Sequence, residues 1–177
     1  MRMTRLLFDG VVRTDYGQFD LVWGEGAGFD GDFDRFFANQ VNGLVGAAAP
    51  GGLYLHFARR SGGSRLTIRR TDAAPPLPAP RYEDIVEVSV VIPAGARVGW
   101  TSWAGETSGQ LDGLPGGSYR VRVSAHGRDA GHAGEFADGI VDEYLVEMWP
   151  APVGEDAIVR TGSSDAEYWH RDVGGRR

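Results

Sequence analysis

The 177-residue chain is 42% hydrophobic, with 27 glycines, 9 prolines and a formal net charge of -6, a size and apolar content that suit one domain around a buried core. Its lack of cysteine excludes disulfides, thiolate chemistry and cysteine-ligated zinc, and an acidic balance without a basic track disfavours nucleic acid as a direct partner. No apolar run approaches the roughly 18–20 residues of a membrane-crossing helix, and the first one stops at Asp9, too short for a signal-peptide core, so a cytoplasmic protein is expected.

So much glycine and proline fits short strands joined by tight turns better than a helical bundle. Residues 6–12 and 18–23 read as two strands, the second alternating Phe19, Leu21 and Trp23 against Gln18, Asp20 and Val22. Between Gly24 and Gln40 lies an acidic, glycine-rich loop carrying Asp30, Asp32 and Asp34, in which Asp32 is placed to cap a short helix over residues 33–39. Residues 51–59 alternate Leu53, Leu55 and Phe57 against Tyr54, His56 and Ala58, and Ser61-Gly62-Gly63-Ser64 predicts a turn into residues 65–70, giving a hairpin. The proline-rich residues 72–80 donate few backbone hydrogen bonds and form an extended connector.

The next strand, residues 82–92, sends Val86, Val88, Val90 and Ile92 to a central face. Residues 97–103 add a strand or strand-loop bearing Trp100 and Trp103. After the Pro-Gly-Gly turn, Tyr119, Val121, Val123 and Ala125 alternate with Arg120 and Arg122, and residues 142–150 return with Tyr144, Val146 and Met148 against Glu147. Arginines on one strand facing carboxylates on the next predict cross-strand pairing on a solvated sheet face. Residues 156–160 form an edge strand. The expected whole is an all-β, mostly antiparallel β-sandwich with one short helix, a single domain over residues 1–160 and a flexible tail over 161–177.

Chemistry is harder to place. His126 and His132 are six apart and His56 and His170 are isolated, none in the i+2 or i+4 spacing of common metal sites. Asp30-Gly31-Asp32-Phe33-Asp34 offers alternating carboxylates, but the sixth and twelfth places of a calcium loop are Arg35 and Val41. No nucleophile elbow, zinc-protease motif or phosphate loop is present. The expectation is therefore no catalytic residue, no metal and no cofactor. Trp100, Trp103 and Trp149 lie beside turns, where they serve either the core or an exposed platform.

Taken together, Tyr16-Gly17-Gln18-Phe19, Gly51-Gly52-Leu53-Tyr54-Leu55, Glu83-Asp84-Ile85-Val86-Glu87, Leu114-Pro115-Gly116-Gly117-Ser118-Tyr119-Arg120-Val121 and Tyr144-Leu145-Val146 resemble the competence protein J (ComJ) family over residues 14–150. The resemblance implies a small β-sandwich that binds and inhibits a partner nuclease without catalysis, akin to immunity proteins of bacterial toxin systems. Acidic groups suit a cationic nuclease surface, so Asp30, Asp32, Asp34, Asp138, Asp142 and Glu143, with Trp100 and Trp103, are the candidate partner-binding residues. The alternatives are a carbohydrate-active or metal-dependent hydrolase, or a sugar-binding module, on a jelly-roll scaffold.

Overall fold

The computed structural model describes residues 3–177. Strands dominate it, and among the described residues they form two mainly antiparallel sheets. The larger contains β1 (Thr4–Asp15), β5 (Ser61–Thr71), β6 (Asp84–Ile92), β9 (Gly117–His126), β10 (Glu143–Pro150) and β11 (Ala157–Arg160). Its order is β1-β5-β10-β9-β6-β11, antiparallel throughout except for the parallel pair β5 and β10. The smaller contains β2 (Gln18–Val22), β3 (Val45–Gly46), β4 (Gly52–His56), β7 (Gly99–Ser102) and β8 (Ser108–Gln110), in the order β3-β4-β2-β7-β8.

The expected strand pair of the Arg120 and Glu147 segments is present, with Val146 opposite Val123 and Glu147 opposite Arg122. The expected hairpin is not. β4 belongs to the smaller sheet and β5 to the larger, and the chain crosses between them at residues 57–60. Gly62 and Gly63 lie inside β5 and make no turn. An ideal Cβ on Gly63 would stand 2.9 Å from Val11 Cγ1, so the glycine serves the close approach of β1.

Period-two patterning decides what the sheets bury. Val86, Val88, Val90 and Ile92 of β6 share one apolar cluster with Val121, Val123, Val146 and Met148 of the same sheet. Phe19, Leu21, Leu53 and Leu55 from the smaller sheet join it, each such side chain contributing about 1.5–3 kcal/mol when fully buried. An aromatic stack links the sheets: Phe57 lies 3.9 Å from Tyr144 at 4° and 5.6 Å from Phe19 at 11°.

On the opposite face of the larger sheet, the arginine and glutamate rows are not solvated. Glu147 is fully buried, held by Arg69 at 2.5 Å and Arg122 at 3.6 Å. Arg122 also donates to Glu87 at 2.8 Å and to the carbonyls of Pro75 and Pro76 at 3.0 Å each. The proline-rich connector thus covers Arg122 on this face, while Arg69 at its edge stays 37% exposed.

Helices are three rather than one among the described residues: α1 (Phe33–Phe36), α2 (Arg128–Ala133) and α3 (Ser164–Asp172). Asp32 caps α1 as expected, its Oδ1 accepting from Arg35 N at 3.0 Å. Within residues 161–177, expected as a tail, Ser164–Asp172 form α3. Ser163 caps it by accepting from Ala166 N, and donates to buried Asp84 at 2.5 Å. Ala166 and Val173 are buried, and Asp165 pairs with buried Arg128 at 2.8 Å. The polar anchors lie on distant strands and helices, which a local reading of the tail could not register.

Candidate functional site: an aromatic cleft beside the acidic loop

The sequence-derived site residues separate into four places. Asp30, Asp32 and Asp34 are exposed on the loop before α1, but Asp30 is paired with Arg35 at 2.6 Å and Asp34 with Arg176. Asp138 is exposed in the loop between α2 and β10, two residues from Phe136, which is 91% exposed. Glu143 is held by both terminal nitrogens of Arg81, at 2.7 and 2.9 Å, and by the Tyr82 hydroxyl. Asp142 is a correction: it is buried, accepting from Ser64 Oγ at 2.6 Å and Tyr144 Oη at 2.9 Å, and so has no surface to offer a partner. Burial raises its pKa above the ordinary carboxylate value.

The two tryptophans also part. Trp100 stacks on Phe19 at 5.7 Å and meets Phe8 edge-on, so it belongs largely to the core. Trp103 is 39% exposed and packs against Tyr16 with ring centroids 5.0 Å apart. Of the expected residues, the fold brings Asp30 and Trp103 together, on opposite sides of a cleft of about 540 Å³.

The cleft draws on five separate parts of the chain. Tyr16 comes from the turn between β1 and β2, and Trp103 from the 3₁₀ turn after β7. Phe29 and Phe33 come from the acidic loop and α1, and Tyr54 and His56 from β4. α3 supplies Trp169, whose ring centroid is 4.0 Å from that of His56. Phe29 stacks on Tyr54 at 3.9 Å and 8°. Two non-glycine residues of the rim, Tyr16 (φ 55°) and Ala104 (φ 53°), adopt the left-handed conformation, a cost that clusters at functional sites.

The polar groups are arranged with equal economy. Gln18, buried at the back of the cleft, donates through Nε2 to Asp20 Oδ2 at 2.7 Å and to the Phe29 carbonyl at 3.0 Å. Both partners are acceptors, which fixes the amide orientation and leaves Oε1 as the free acceptor. Asp20 is fully buried, and that burial pushes its pKa up to about 6, against the pull of the Gln18 and Phe29 N–H hydrogen bonds. The Tyr54 hydroxyl and His56 Nδ1 share a hydrogen bond of 2.6 Å. Burial, helped by the Arg128 charge, holds His56 neutral with a pKa near 3.

Sequence reading missed Tyr16, Gln18, Phe29, Phe33, Tyr54, His56 and Trp169 as site residues. Nothing local joins them, because they are contributed by elements up to 153 positions apart, Tyr16 to Trp169. A surplus of aromatics in turns was the one available signal. Among the described residues, no group of three His, Cys, Asp or Glu side chains is placed to hold a metal ion, and no helix is long and apolar enough to cross a membrane.

Neither a protein-family model nor a curated protein matches the chain by sequence. Its structure does match. Superposition on ComJ from Bacillus subtilis, an inhibitor of the DNA degrading activity of NucA, gives a TM-score of 0.56 over 84% of this chain and 99% of ComJ, at 17% identity. The chain has a ComJ-like fold. The same ComJ-like arrangement is found in the crocagin biosynthetic gene J product, with a TM-score of 0.51, 13% identity and coverage of 85% of this chain and 99% of that one. The resemblance to the ComJ family read from turn and strand motifs thus holds at the level of fold.

Proposed function

We propose that this protein is a non-enzymatic inhibitor, a β-sandwich that binds a partner nuclease or toxin and blocks its action. The observation that carries this reading is the fold shared with ComJ, an inhibitor of a DNA-degrading enzyme, across nearly the whole ComJ chain. Electrostatics support it. A nuclease presents cations where phosphate binds, and a chain of net charge -6 with Asp30, Asp32, Asp34 and Asp138 on exposed loops is drawn to such a surface. Exposed Trp103 and Tyr16 add the rigid aromatic anchors that dominate protein interfaces.

The test is capture with add-back. Immobilised protein is incubated with a soluble extract of its source cell, the eluate is assayed for DNA cleavage, and free protein is then titrated in. The reading expects a DNA-degrading eluate that the free protein suppresses at a stoichiometric ratio. An eluate whose DNA cleavage is unaffected by added protein, or one with no cleavage at all, overturns it.

A further inference from the structure

We propose that the aromatic cleft is a receptor for a single arginine side chain of the partner protein, taking the guanidinium between aromatic faces. This rests on the inhibitor reading for the source of the arginine, while the cleft itself stands on its own geometry. A guanidinium is planar, weakly hydrated and attracted to ring faces. The cleft offers such faces on several sides: Trp103 and Tyr16 on one, Phe33 and Trp169 on another, and the Phe29 and Tyr54 stack. The molecule already makes this contact internally, with the Arg60 guanidinium 5.1 Å from the Tyr16 ring centroid.

Charge selects the cation over a neutral ligand. Asp15 precedes Tyr16 in the chain and Glu106 follows the Trp103–Gly105 turn, so two carboxylates flank the Tyr16 and Trp103 pair. Two carboxylates so placed are relieved by an incoming cation. Asp30 stands on the rim, and Asp32 caps α1 nearby. Against these stand Arg35, exposed and paired with Asp30, and Arg60. The acids outnumber the arginines at the mouth. Within the cleft, the residue Gln18 is only 8% exposed and its Nε2 is committed to Asp20 and Phe29, which leaves Oε1 to accept from a guanidinium N–H. A sugar would stack on the same aromatic faces and find donors in the Tyr16 hydroxyl and the Trp103 and Trp169 indoles, and it is therefore the rival ligand in the test.

The experiment titrates the full chain with N-acetyl-arginine methylamide, following tryptophan fluorescence, with the citrulline analogue as neutral isostere and a neutral oligosaccharide as rival ligand. A saturable response to the arginine probe is expected in the millimolar range, at least tenfold weaker for citrulline and abolished in Trp103→Ala, a change at an exposed side chain. Equal responses to arginine and citrulline, or saturation by the oligosaccharide alone, overturn the proposal. The capture assay repeated with Trp103→Ala separates the two readings. If that variant suppresses DNA cleavage as well as wild type does, the arginine receptor falls and the inhibitor stands; if wild-type capture fails while the arginine probe still binds, the inhibitor reading falls and the cleft remains a guanidinium site.

Discussion

Glu147 shows how much one side chain depends on what covers it. Its alternation with Val146 and Met148 correctly placed it away from the apolar core, opposite Arg122. What alternation could not carry is the strap of residues 72–80, because a proline-rich segment has no periodicity to reveal the face it lies on. There the carboxylate is buried between Arg69 and Arg122, and removing it leaves Arg69 without its carboxylate and buried Arg122 with Glu87 alone, so the group carries more than an exposed ion pair would. Glu147→Leu is accordingly expected to lower stability by about 3–5 kcal/mol in urea unfolding, whereas the double variant Arg122→Met/Glu147→Leu should recover most of that loss. Equal losses in both would show that packing, and not the uncompensated arginine, sets the effect.

At the scale of elements, strand existence was legible and strand partnership only in part: the β9–β10 pair was, the β4–β5 hairpin was not. Every strong alternating run became a strand, since a buried face imposes period two whatever its neighbour is. The failed hairpin came from reading Ser61-Gly62-Gly63-Ser64 by composition: glycines that let β1 pass close are indistinguishable from glycines that turn a chain. β4 misled further because both its faces are covered, Leu53 and Leu55 by the main core and Tyr54 by Phe36, Phe37, Ala49 and Val173. For α3, the anchoring contacts predict its sensitivity. Ser163→Ala removes both the helix cap and a hydrogen bond to buried Asp84, so the melting free energy should fall by about 2 kcal/mol. Ser164→Ala, whose side chain is exposed and outside the cap, is the control and should change stability by less than about 0.5 kcal/mol.

Across the whole molecule, three buried titratable groups set the response to mild acid. Burial holds His56 near pKa 3 and His170 near 4, each below the unfolded value of 6.5, so both contribute stability above pH 6.5 that is lost as pH falls toward those values. Asp20 acts in the opposite sense: its pKa of about 6 lies above the unfolded 3.8, so its burial penalty is relieved as pH falls through 6. Between pH 6.5 and 5 the two histidines lose about 3 kcal/mol together and the aspartate returns about 1, so a net loss of about 2 kcal/mol is expected. Urea midpoints at the two pH values measure it. His170→Gln should shrink the loss by about 2 kcal/mol, while Asp20→Asn should enlarge it; an unchanged slope in either variant would remove that group from the account. The order of the larger sheet carries one last consequence, in time. It joins β5 to β10, some eighty residues later, in parallel register, and the cleft brings Tyr16 together with Trp169, 153 positions on. Such long closures make folding slow, and a nascent chain has no cleft to present. The cleft is therefore a late product of folding, complete only when both ends of that span have been made and brought together.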